Sequence, residues 1–193
     1  MRFSKGAARF LCLGLVAFLC TSCATITIGR ADSDASLGSG DDTYFVVGVQ
    51  PETAAVSFFR GSIEGGTFRQ NPLLPANFRG TPEDGYVVSR THGGETLAIT
   101  YIAVPNKGFP PMLLFVPCRD SRTLVFNAPG GKVIYLGDVS YYGAGGRLEA
   151  SIGWNFEGAK AFMASHYPKL ADKLEPQRPQ FLHAVGQGSC VGG

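Results

Sequence analysis

The chain has no Cys-x-x-Cys pair, no His-Glu-x-x-His and no serine in a nucleophile-elbow setting. The short signatures of cysteine-held metals, zinc proteases and serine hydrolases are therefore missing. A triad assembled from distant residues stays open, because triads are defined by geometry and not by sequence order. Histidine is scarce: His92, His166 and His183 stand far apart in different expected elements, so a shared metal or proton-transfer site would need the fold to gather them. No internal repeat is present. A bilayer-spanning run is lacking near the N-terminus too, since Phe10 to Cys20 is eleven residues and a spanning helix needs about 20.

That short run follows Arg2, Lys5 and Arg9 and precedes Thr21-Ser22-Cys23, the order of an export signal. Polar Thr21, Ser22, Thr25 and Thr27 argue against an uncleaved anchor that continues through Ile28. The segment resembles bacterial lipoprotein signals, in which small residues precede a cysteine that is lipidated and becomes the mature N-terminus. Cys20 stands where such signals usually carry leucine. The resemblance implies a signal peptide over 1–22 and lipidation at Cys23. Because Ala24 and not Asp follows that cysteine, it also implies the outer membrane, on the periplasmic side. The acyl chains of such an anchor contribute about 0.8 kcal/mol per buried methylene.

An excess of positive charge is absent once the signal is removed, because 14 Lys and Arg then face 15 Asp and Glu. A near-neutral body gives no ground for a nucleic-acid partner, which requires a basic patch on the folded part. Processing at Cys23 leaves Cys118 and Cys190, which in an oxidising compartment can form one disulfide. That bond would contribute roughly 4 kcal/mol in the chain-entropy model. The alternative is a buried thiol at Cys118 and a second cysteine in the Gly-rich tail, 186–193.

Residues 23–43 read as a lipidated N-terminus and flexible tether, since Arg30 to Thr43 is dense in Asp, Ser and Gly and offers little apolar surface against its ordering entropy. As a random coil it would span on the order of 20 Å. Residues 44–185 have the size of one domain.

Short apolar runs between Gly, Pro, Asn and Asp predict strands over Tyr44 to Val49, Ala54 to Arg60, Gly85 to Arg90, Thr96 to Val104, Met112 to Val116, Thr123 to Asn127, Lys132 to Val139 and Arg147 to Trp154. Leu148, Ala150, Ile152 and Trp154 alternate with Arg147, Glu149, Ser151 and Gly153, the period of a strand with one wet face. Thr96 to Val104, Met112 to Val116 and Val133 to Leu136 are apolar on both faces, which suits central strands. Pro129-Gly130-Gly131 and Gly143 to Gly146 read as turns, making Thr123 to Trp154 a three-stranded meander. One helix is expected near 156–167: Asn155 caps it, Glu157 sits in its first turn and Pro168 ends it. Phe156, Ala159, Phe162, Met163 and His166 share one face. A last apolar run covers Phe181 to Val185. The expected fold is mainly β, an antiparallel two-layer β-sandwich with one packed C-terminal helix.

Pro129-Gly130-Gly131-Lys132 fails as a phosphate loop, which would need glycine at Phe126 and Ser or Thr at Val133. His92, in Thr91-His92-Gly93-Gly94-Glu95, is the one acid–base candidate, although a plain turn histidine is the simpler account. The adjacent aromatics Phe58-Phe59 and Tyr141-Tyr142 point to opposite faces if extended, so an exposed ring can mark a binding edge.

The lipoprotein-like start, the run Phe126 to Asp138 and the ending His166-Tyr167-Pro168 resemble uncharacterised proteobacterial envelope lipoproteins. That class brings no established activity or catalytic residues to transfer. The first expectation is a non-enzymatic envelope lipoprotein that presents an interaction surface to an envelope protein partner, with no cofactor and no metal. A second is a carrier that encloses a small apolar ligand in a closed barrel, as lipocalins do, although their Gly-x-Trp near the first strand has no match: the sole tryptophan is Trp154. The third is an envelope enzyme of unknown reaction resting on His92.

Overall fold

The computed structural model describes residues 27–107, 111–116, 122–144 and 147–185. Cys23, Cys118 and Cys190 lie outside them, and so do the expected signal peptide, 1–22, and the Gly-rich segment 186–193. In chain order the elements are β1 (Asp42–Gln50), β2 (Ala55–Glu64), β3 (Thr67–Gln70), β4 (Phe78–Gly80), β5 (Tyr86–His92), β6 (Thr96–Pro105) and β7 (Met112–Phe115). Then follow β8 (Arg122–Asn127), β9 (Val133–Ala144), β10 (Arg147–Gly153), α1 (Phe156–His166), α2 (Pro168–Ala171), β11 (Leu174–Pro176) and β12 (Gln180–Val185).

Strict alternation along β1 explains the layering. Tyr44 and Val46 point one way, into a cluster with Val88, Val133, Tyr135 and the helical Ala159, Phe162, Met163 and Leu170. Phe45, Val47 and Val49 point the other way, into the main core with Phe58, Leu97, Ile99, Leu124, Phe126, Ile134 and Leu136. A strand covered on both faces reads as a near-continuous apolar run, which is what Tyr44 to Val49 is. The helix lies outside a sheet ordered β10-β9-β1-β5, with β11 also on β9. Asn155 caps α1 as expected, its side chain accepting from the Gly158 N–H at 3.0 Å, and Pro168 opens α2.

The protein is mainly β with two sheets and a C-terminal helix, but a plain antiparallel sandwich is corrected in two ways. The second sheet closes on itself: β2 pairs β6, β6 pairs β8, β8 pairs β12, β12 pairs β3 and β3 returns to β2. Phe68, Ala98, Val125 and Ala184, one from each of four of these strands, are buried together in a cluster of their own. Gly61 of the fifth strand makes room for them, since a Cβ there would come 2.6 Å from the Phe68 ring. A barrel this narrow is filled by its own side chains. In addition, β1 with β9, β11 with β9 and β12 with β3 run parallel.

The expected meander is also corrected. β9 and β10 form a hairpin, whereas β8 belongs to the ring, so Pro129-Gly130-Gly131 carries the chain from one layer to the other. Thr43 Oγ1 holds this crossing by donating to the Pro129 carbonyl at 2.6 Å. β7, expected as a central strand, pairs only β6 among the described residues and lies at an edge, with Met112 and Leu114 exposed.

Residues Ile28 to Leu37, read from composition as tether, lie against the fold. Ile28 exchanges two backbone hydrogen bonds with Arg79 of β4, and the Ala31 N–H donates to the Val88 carbonyl of β5. Arg30 pairs with Glu83 at 2.7 Å, and Ala31, Ala35 and Leu37 pack beside the helical cluster. Edge strands supply the backbone partners that composition could not reveal. This strap seals the β4 and β5 edges.

Candidate functional site

The edge opposite the strap is formed by two terminal strands that approach each other. β10 ends its sheet on one side of the core and β7 ends its own sheet on the other. The alternation expected for β10 therefore meets an incomplete cover: Ile152 is 49% exposed and Trp154 47%. Between the layers lies a cavity of about 260 Å³ walled by Phe115, Leu124, Val139, Tyr141, Ile152 and Phe181. A second, of about 300 Å³, adjoins it at Ile152 and Phe181 and continues past Leu136, Trp154 and Pro179. Arg122 stands in the wall of the first and Arg178 in that of the second. Burial raises the pKa of the Tyr141 phenol, so this wall carries a neutral hydroxyl.

Trp154 is held in place by a polar knot. β9 carries a bulge opposite Val46 and Gly48, and Gly137 within it has φ of +94°, a backbone region in which glycine is favoured. A Cβ on Gly137 would come 3.2 Å from the Trp154 ring. Beyond the bulge, Asp138 accepts from the Tyr135 hydroxyl at 2.6 Å and from the Asn155 N–H at 2.7 Å. Gly48 leaves space for this carboxylate, as a Cβ there would sit 2.8 Å from Asp138 Cγ. Burial, followed by the hydrogen bond to Asp138, pushes the Tyr135 phenol far above its ordinary pKa. It therefore stays a donor. The Tyr135 and Trp154 rings meet at 5.0 Å. Sequence reasoning missed this knot; its only trace is the Gly137-Asp138 step inside a strong strand.

His92 ends β5 opposite Asp42. Its Nδ1 lies 2.9 Å from Asp42 Oδ1, and the imidazole is 74% exposed. Glu95 serves the turn: it accepts from Thr91 Oγ1 and from the His92 N–H, and pairs with Arg60 Nε at 2.9 Å. Burial alone would raise the Glu95 pKa, but Thr91, Arg60 and the His92 amide hold it below the ordinary carboxylate value. His166 closes α1, with Nδ1 3.1 Å from the Phe162 carbonyl and Nε2 3.1 Å from Asp84. His183 lies within β12. The three histidines thus meet different neighbours, and no cluster of three or more His, Cys, Asp or Glu that could hold a metal occurs among the described residues.

Two further hollows are lined by charged side chains. One, of about 580 Å³, runs along β2 and β3 beside Arg60, Glu95, Arg69 and Glu64, whose charges pair with each other. The other, about 330 Å³, lies under the strap beside Arg30, Arg60 and Arg90, which pair with Glu83, Glu95 and Asp42. Both are self-neutralised. Compared with protein-family models, with curated proteins and with solved structures, the chain matches nothing.

Proposed function

We propose that this is a non-enzymatic lipoprotein of the bacterial envelope, anchored through a lipid on Cys23, whose working surface is the apolar groove between β7 and β10. The half-exposed Ile152 and Trp154 carry the reading: two large apolar side chains, one on β10 and one just past its end, on the edge away from the strap. Rimmed apolar patches of this kind mark interaction sites on soluble domains. His92 is a weaker centre of function, since its ring stands largely in water.

A photo-reactive side chain placed at Ile152 and activated in intact envelopes is expected to give a reproducible adduct by mass spectrometry. The same group at Glu149, on the other face of β10, should not. Equal labelling at the two positions, or none at Ile152, would remove the groove as the working surface.

A further inference from the structure

The geometry points to an occupant for this groove: the hydrocarbon chain of a single-chain anionic amphiphile, of which a fatty acid is the simplest. The inference rests on the groove being the working surface and adds the chemistry of what fills it. Shape argues first. The two cavities, about 260 and 300 Å³, share Ile152 and Phe181 in their walls, and a flexible chain laid across those two side chains would reach into both. Small-molecule sites usually enclose about 300–1,000 Å³, and the two lobes together fall in that range.

Charge argues second. Neither lobe is walled by an Asp or Glu among the described residues, and each has one arginine, Arg122 or Arg178. The arginines of the two other hollows, Arg30, Arg60, Arg69 and Arg90, all have carboxylate partners. Among the described residues Arg122 and Arg178 have none. A guanidinium in the wall of each apolar cavity, with no carboxylate partner among the described residues, complements a molecule with a greasy body and an anionic head. The strap, Ile28 to Leu37, lies along the opposite edge, so this described segment does not fill the groove.

Trp154, the only tryptophan, reports occupancy directly. The full-length chain with Cys23→Ala, which keeps its own acyl groups out of the assay, is titrated with decanoate, laurate and myristate while Trp154 emission is followed. Native mass spectrometry counts the bound chains. Affinity should rise about two- to fourfold per added methylene until the groove is full. Dodecanol should bind about tenfold more weakly than laurate, as should laurate to the Arg122→Gln/Arg178→Gln double variant, because a charge-assisted hydrogen bond is lost. Ile152→Glu, at an already exposed edge position, should abolish binding with an unchanged circular dichroism spectrum. No binding by either method, or equal affinity for acid and alcohol, would overturn the inference. A polypeptide adduct at Ile152 in envelopes, with no fatty-acid binding in solution, would overturn it while leaving the groove as the working surface.

Discussion

Glu95 shows what a single carboxylate does when its partners are supplied by neighbouring strands. Burial opposes its charge, and the Thr91 hydroxyl, the Arg60 guanidinium and the His92 amide together outweigh burial, so its folded pKa lies below the unfolded one. The sign follows from linkage: a lowered folded pKa stabilises above the unfolded value and is lost as pH falls through the folded value. Urea midpoints of the wild type should therefore drop more steeply than those of Glu95→Gln as pH is lowered from about 5 to 3, near and below the ordinary glutamate pKa of about 4.3. Parallel pH profiles would show that Glu95 does not contribute. At this scale the sequence was partly legible. Thr91-His92-Gly93-Gly94-Glu95 stood out as a polar turn, but Arg60 comes from another strand and Asp42 from a third, and no spacing announces such meetings. The Asp138 knot was illegible for the same reason, being set by a bulge that brings Gly48, Tyr135 and Asn155 around one carboxylate.

Among the elements, the strap is the part whose local chemistry most needs a particular residue. Gly29 has φ of +77°, and a Cβ there would lie 3.0 Å from the Asn77 carbonyl carbon. Its own carbonyl accepts from Ser89 Oγ at 2.6 Å. Gly29→Ala should weaken docking of the strap by at least about 1–2 kcal/mol, the penalty of the left-handed region for an L residue. Limited proteolysis is then expected to cut within 30–41 faster than in the wild type, with the core still resistant. Gly40→Ala, where a Cβ meets nothing within 4 Å, should leave the cleavage pattern unchanged. Longer elements were legible because periodicity and turn residues act locally: all eight runs expected between Tyr44 and Trp154 are strands, and the helix begins and ends where Asn155 and Pro168 place it. β3, β4, β11 and α2 hold three or four residues each, too few to show a period. Sheet membership was illegible because Pro129-Gly130-Gly131 suits a crossing between layers as well as a hairpin.

For the whole molecule, the strap and the groove occupy opposite edges, separated across the helix-covered sheet by three strand spacings, about 14 Å. The four peptide steps from Cys23 to Thr27 reach at most about 14 Å. A lipid on Cys23 would thus hold the strap edge within about 14 Å of the leaflet, and the groove edge stands farther from it when the sheet rises from the surface. In vesicles carrying nitroxide-labelled head groups, the emission of Trp154 in the anchored protein should be little quenched. A tryptophan introduced by Ile28→Trp in a Trp154→Phe background should be quenched several-fold more. Strong quenching of Trp154 would mean that the groove edge lies on the membrane.

The ring of strands has a consequence for the order of events during synthesis. Its closing member is β12, which fits between β3 and β8 only after residue 185 has been made, so the earlier strands must wait with Phe68, Ala98 and Val125 uncovered. Contacts this distant in sequence form slowly, and unfinished β intermediates are prone to associate. A chain made from its N-terminus would complete this domain only once nearly all of it had emerged, which leaves the last strand to decide when the fold becomes self-contained.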